Sequence, residues 1–115
     1  MLIRIDPARE EPLFAQLAGS IRSDIAAGDL RSGDRLPSAR EVAAGLDVNL
    51  HTVLRAYQAL REEGLVAMHR GRGAVVTDAA ASLVALRDDI ASLVDRAHAL
   101  GLSADTLASL MKEHR

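Results

Sequence analysis

The apolar positions in the first quarter of the chain predict an amphipathic helix. Between Pro12 and Gly28, large apolar residues recur every four positions, at Leu13, Leu17, Ile21 and Ile25. This spacing places them on one helical face. Proline suits the first turn of a helix and glycine its end. Before this helix, residues 2–5 alternate weakly between apolar and polar, which predicts a short strand.

Two further helices follow around a short turn. Ser38 and Glu41 have the spacing of a capping box, which predicts that a short helix begins there. After a turn at residues 47–48, Asn49 is suited to cap the next helix and Gly64 to end it. The inner face of this third helix consists of Val53, Ala56, Tyr57 and Leu60. The order predicts a helix-turn-helix.

A β-hairpin is predicted directly after the third helix. Two β-rich runs, residues 65–69 and 74–77, flank the sequence RGRG at residues 70–73. Glycines permit the tight turn that a hairpin needs. A helix-turn-helix followed by such a hairpin is a winged helix-turn-helix, a DNA-binding fold.

The tail has a different pattern. Leu83, Leu86, Ile90, Leu93, Ala97 and Leu100 are spaced 3, 4, 3, 4, 3, as in a coiled-coil seam. After a break at Gly101, Ser103 is suited to cap a last helix that carries Leu107 and Leu110. We expect these apolar positions to form a dimer interface; packing of the seam on the first helix of the same chain is the alternative.

We therefore expect a mostly α fold with a small β-wing: a winged helix-turn-helix DNA-binding domain at residues 1–78 and a two-helix dimerisation region at residues 79–115. The chain has no cysteine, which excludes disulfides and thiolate zinc sites. No apolar run approaches the roughly 20 residues that span a bilayer. We expect a cytoplasmic protein that does not contact membranes.

The net charge of −2 does not by itself suggest nucleic acid, but arginines concentrate in the predicted DNA-binding elements. Short polar residues at the start of the third helix suit base edges, and arginines suit phosphates or guanine. The candidate DNA contacts are Arg35, Ser38, Arg40, Asn49, Leu50, His51, Thr52, Arg55, Arg70, Gly71 and Arg72. The alternatives are an ordinary capped surface helix, an Arg40 paired with Glu41 or Asp47, and a solvated hairpin turn.

No catalytic or cofactor site is evident. The four histidines lack metal-ligand spacing, and nothing groups a nucleophile with a base. The RGRG sequence lies at a hairpin tip, so it does not indicate a nucleotide-binding loop. We expect no enzyme activity, no metal and no cofactor.

Several short sequences follow one another in a characteristic order and spacing, among them SGDRLPS at residues 32–38, Arg40-Glu41 and EGLV at residues 63–66. Through them, residues 12–76 resemble the GntR family of bacterial transcription regulators. The IRIDP opening, the VN turn, the RAY sequence and the short helical tail resemble its YtrA-like subfamily. The resemblance implies a homodimeric regulator in which Arg40, residues 49–52 and Gly71 contact DNA. The chain departs from relatives at Leu50 and Leu54, where basic residues are frequent, and at Asp47, where glycine is frequent.

These observations predict a sequence-specific transcription regulator, a repressor, that binds double-stranded DNA as a homodimer on an inverted-repeat operator. One alternative is a winged-helix module that binds another protein. The other is a regulator that senses a small ligand or a metal at the dimer interface. Neither the effector nor the operator follows from the sequence.

Overall fold

The structure, a computed structural model, describes residues 3–114. Its helices and strands are α1 (Leu13–Ala26), α2 (Ala39–Leu46), α3 (Leu50–Glu62), β1 (Val66–His69), β2 (Gly73–Val76), α4 (Ala79–Ala99) and α5 (Ala104–Glu113). The predicted mostly α fold with a β-wing is confirmed. The chain forms two compact units, one ending at Val84 and the other beginning at Ala85. Among the described helices, none is long and apolar enough to cross a membrane.

The core of the first unit lies between α1 and α3. Leu17, Ile21 and Ile25 of α1 are fully buried, as are Val53 and Leu60 of α3. They pack in one cluster with residues of α2 and the wing. Burial of a large aliphatic side chain contributes roughly 1.5–3 kcal/mol, so these residues dominate the stability of the unit.

The prediction of a strand at residues 2–5 is wrong for residues 3–5, which form no strand. Leu2 lies outside the described residues. The backbone here bonds to side chains of α1 instead of to another strand. Arg4 N donates to Ser20 Oγ at 3.0 Å, and Asp6 N donates to Gln16 Oε1 at 2.7 Å. Ile3 packs against the core, which explains the apolar alternation.

Capping residues set the bounds of α2 and α3 as predicted. Ser38 Oγ accepts a hydrogen bond from Glu41 N at 3.1 Å, and Asn49 Oδ1 accepts one from His51 N at 2.8 Å. Between the helices, Asp47 has a φ of 54°, a left-handed conformation that glycine adopts more readily. Gly64 follows α3 with a φ of 80°. The local signals therefore position both helices of the helix-turn-helix.

The wing contains a third extended segment that the sequence did not reveal. β1 and β2 pair antiparallel, from Val66 opposite Val76 to His69 opposite Gly73. On the other edge of β2, Gly33 N donates to Val76 O at 2.8 Å and Leu36 N donates to Ala74 O at 2.9 Å. Residues 33–36 thus pair with β2 immediately before α2, and this pairing connects the wing to the start of the helix-turn-helix.

Candidate nucleic-acid interface

The N-terminal turn of α3 presents its polar residues outward. Asn49 and His51 are exposed and Thr52 is half-buried. Because the carboxamide oxygen of Asn49 caps the helix, its amide NH₂ group is the part that remains for a ligand. Leu50 differs from its neighbours, since it packs partly against the core. Of this predicted group, three side chains therefore offer polar groups at the surface.

Arg40 is exposed in the first turn of α2. Within residues 3–114, the structure gives it no ion pair and no hydrogen bond, so the alternative pairing with Glu41 or Asp47 does not occur. Arg35, in the extended segment before α2, is exposed as well. Both guanidinium groups are available to a ligand beside the N-terminus of α2, where free N–H groups favour an anion.

The wing tip contains two arginines, of which only one has a hydrogen-bond partner for its side chain. Arg70 is exposed and has no hydrogen bond or ion pair to any residue in the described part of the chain. Arg72 donates from a guanidinium nitrogen to Gly33 O at 2.9 Å, which ties the tip to the segment before α2. Between them, Gly71 has a φ of 80° and open space around the position of a Cβ atom. The turn therefore needs glycine for its backbone conformation rather than for lack of room.

Arg55 is an exposed residue of α3 that contacts α1. Its guanidinium carbon is 3.8 Å from the centroid of the Phe14 ring in α1. Such a cation–π contact is worth roughly 0.5–1 kcal/mol at an exposed site and restricts the side chain. A stacked guanidinium still has free N–H groups at its edge, so Arg55 keeps the ability to bind a phosphate.

A cleft of about 970 Å³ lies between α3, the wing and the start of α2. It brings together two predicted residues near the start of α2, Arg35 and Ser38, with Arg72 of the wing. It also adds residues that the sequence reading did not select: Gln58 and Arg61 of α3 and Met68 of β1. Gln58 and Arg61 follow Leu54 by four and seven positions, so the helical period places them on the same face as Leu54. This spacing is the signal in the sequence by which they could have been selected.

Tyr57 fixes α3 against the segment that precedes α2. The phenol is buried and donates a hydrogen bond to Pro37 O at 2.6 Å. Burial, together with the nearby charge of Glu41, raises the pKa of Tyr57 to about 12. Tyr57 therefore stays neutral throughout the physiological range and holds Pro37, the residue before the cap of α2, in place.

The predicted dimerisation residues differ in exposure. Leu83 packs partly on the core of the first unit, and Ala97 is buried within its own chain. Leu107 of α5 is half-buried. The members that remain exposed are Leu86, Ile90, Leu93, Leu100 and Leu110, at 40–75% of their full accessibility. In the described residues, no group of three metal-ligating side chains comes together.

Comparison with known proteins finds relatives of this chain among bacterial transcription regulators. The family model for bacterial regulatory proteins of the gntR family matches residues 13–76. The HTH-type transcriptional repressor YtrA of Bacillus subtilis is 30% identical over 118 residues, which cover 97% of this chain and 91% of that protein. Two other curated relatives are much longer, and the chain spans only 26% and 18% of their lengths.

Two solved structures extend the comparison. YtrA from Sulfolobus acidocaldarius, a GntR-family transcription factor, is 36% identical with a TM-score of 0.64, covering 86% of this chain and 99% of that one. The DNA-binding domain of AraR in complex with operator ORX1 is 28% identical with a TM-score of 0.57, covering 64% and 92%. The resemblance drawn from the sequence is confirmed: the chain belongs to the gntR family of bacterial regulatory proteins, and it is a DNA-binding transcription regulator rather than an enzyme.

Proposed function

We propose that the protein is a homodimeric repressor that binds an inverted-repeat operator through α2, α3 and the wing. The observation that carries this proposal is that Arg40 of α2 and Arg70 of the wing, the elements before and after α3 in the chain, are exposed and have no partner among residues 3–114. Because neither guanidinium group makes an ion pair within residues 3–114, both are suited to bind an external anion. DNA presents suitable partners, with phosphates along its backbone and guanine edges in its major groove.

The two arginines receive different roles. Arg40 emerges from the first turn of a helix, a position from which a guanidinium can bond O6 and N7 of guanine. Arg70 lies on a glycine-containing turn and suits the phosphate backbone. Asn49, His51 and Thr52 then contact base edges or phosphates beside Arg40. The repressor named YtrA and the operator complex of AraR support the proposed operator binding by similarity. A bacterial regulator of this kind acts in the cytoplasm.

Binding measurements on substituted proteins test these roles. Duplexes selected from a random pool are measured by fluorescence anisotropy against the wild type, Arg40→Ala and Arg70→Ala. Loss of Arg40 should reduce discrimination between selected and altered sites about 10-fold or more. Loss of Arg70 should weaken binding to all duplexes equally and lower the salt dependence by about one phosphate. Lys112→Ala, which removes one exposed charge from α5, is the matched control.

The salt dependence of binding and competition by non-specific DNA distinguish an operator-binding regulator from a winged helix that binds another protein. If the dimer neutralises about 6–10 phosphates, affinity should fall about 10³–10⁵-fold between about 50 and 200 mM salt. A winged helix that binds another protein would select no duplex and would be indifferent to non-specific DNA. Binding unaffected by salt and by both substitutions would refute the proposed interface.

The second copy is proposed to bind the exposed apolar residues of the second unit. Leu86, Ile90 and Leu93 are half-exposed along α4, and α5 adds Leu110 and Met111. A two-fold arrangement of two winged helices requires two oppositely oriented half-sites. In sedimentation experiments, Ile90→Glu should give monomers and weaker binding to the full operator. Ala91→Glu, at an exposed neighbouring position off the seam, should remain dimeric.

A further inference from the structure

Two leucines of α3, Leu50 and Leu54, are not fully buried, and their environments differ. Leu50 packs partly against the core of the first unit, whereas Leu54 is 46% exposed. We propose that Leu54 recognises thymine by packing against its 5-methyl group and thereby contributes to operator specificity. This inference rests on the proposed function, because it requires α3 to enter the major groove.

The position of Leu54 supports this role more than its exposure does. Exposed leucines are common on protein surfaces and need no explanation by themselves. Leu54 lies three positions after His51 and four before Gln58, so the three side chains share one helical face. It also lines the cleft between α3 and the wing. The leucine therefore lies one turn beyond the polar start of α3, on the surface proposed to face base edges.

The chemistry of the major groove provides one apolar partner for a leucine. Adenine, guanine and cytosine present hydrogen-bonding groups there, while thymine adds a methyl group beside its O4 acceptor. A leucine placed against the other bases would remove water from polar groups and offer no hydrogen bond in return. Burial of one methyl-sized group changes affinity about 4-fold, so two half-sites together give about 15-fold.

Deoxyuridine substitution isolates this contact because dU differs from thymidine only in the missing methyl group. Each thymine pair of the selected duplex is replaced symmetrically in both half-sites, and affinities are measured by anisotropy. The wild type should lose about 15-fold at one thymine position. Leu54→Ala should bind the unmodified duplex more weakly and show less than about a 2-fold further loss from dU at that position. Leu54→Met, which keeps an apolar contact, should retain the dependence on the methyl group.

Leu102 provides the matched control. It is 47% exposed, close to the 46% of Leu54, and it does not line the cleft. Leu102→Ala should keep the full thymine-to-dU effect. Wild-type indifference to dU at every position, or an equal dU effect in wild type and Leu54→Ala, would overturn the inference. Failure to select any duplex would instead refute the proposed function, so the two failures are distinguishable. Thermal unfolding of each variant confirms that it is folded.

Discussion

Tyr57 permits a stringent test of the packing between α3 and the start of α2. It is the only tyrosine, and the chain has no tryptophan. Tyr57→Phe removes one hydroxyl and its 2.6 Å hydrogen bond to Pro37 O while it keeps the buried ring. A hydrogen bond contributes about 1 kcal/mol net, and an acceptor left without a partner costs somewhat more. We expect the free energy of unfolding in urea at neutral pH to fall by about 1–2 kcal/mol.

The same residue predicts a pH dependence. The pKa of Tyr57 is raised from its ordinary value of 10.0 to about 12, so the folded state holds the phenolic proton more tightly than the unfolded state. The contribution to stability is complete below pH 10 and is lost between pH 10 and 12, up to roughly 3 kcal/mol. The wild type should lose this stability in alkali, whereas Tyr57→Phe should not.

Tyrosinate absorbance near 295 nm measures this ionisation directly, because only one side chain contributes to it. The folded protein should titrate near pH 12 and the urea-unfolded protein near the ordinary value of 10.0. Far-UV circular dichroism on the same samples separates ionisation from unfolding. A midpoint near pH 10 in the folded protein, together with unchanged stability of Tyr57→Phe, would show that the phenol is neither buried nor bonded as described.

Three further substitutions test other contacts of the first unit by urea unfolding. Asp47→Gly should raise stability by up to about 1 kcal/mol, since Asp47 has a φ of 54°; destabilisation would contradict strain at this turn. Gln16→Leu should lower stability by about 2 kcal/mol and accelerate amide exchange at Asp6, because Gln16 makes three hydrogen bonds to the backbone of residues 6 and 11. Arg22→Ala should cost at most about 1 kcal/mol, because its two-bond ion pair with Glu63 is 40% exposed; an equal cost in 1 M salt would exclude the ion pair as the cause.

The helix-turn-helix could be predicted from the sequence because its signals are local. Ser38, Asn49 and Gly64 each act on the backbone within three residues, and their caps occur where the pattern placed them. The third extended segment of the wing could not be predicted in this way. Residues 33–36 pair with β2, some forty positions later in the chain, and no periodicity links the two.

The N-terminal segment was predicted wrongly for a related reason. Ile3 and Ile5 alternate with polar residues because they pack on the core, which is the condition that a half-buried strand also meets. The hydrogen-bond partner distinguishes the two cases. Here it is the side chain of Gln16, a residue that the apolar pattern treats as an ordinary polar position.

Sequence alone does not show which of the candidate arginines have partners within the fold. Arg55 is stacked on Phe14 and Arg72 is bonded to Gly33, while the side chains of Arg35, Arg40 and Arg70 are free of partners among residues 3–114. Both internal contacts join residues about forty positions apart, so only the tertiary structure reveals them. We expect the three free arginines to adapt to DNA and the two restrained arginines to fix the positions of α3 and the wing.

In the tail, the heptad spacing likewise does not show which apolar residues remain exposed for a partner. The seam has six members, but Leu83 and Ala97 are already covered within the chain. Three half-exposed residues in the middle of α4 are fewer than a coiled coil of about three heptads normally uses to hold two helices together. The apolar residues of α5, Leu110 and Met111, are exposed as well. We therefore expect the proposed homodimer to require both helices, so that Leu110→Glu should dissociate it as is expected of Ile90→Glu.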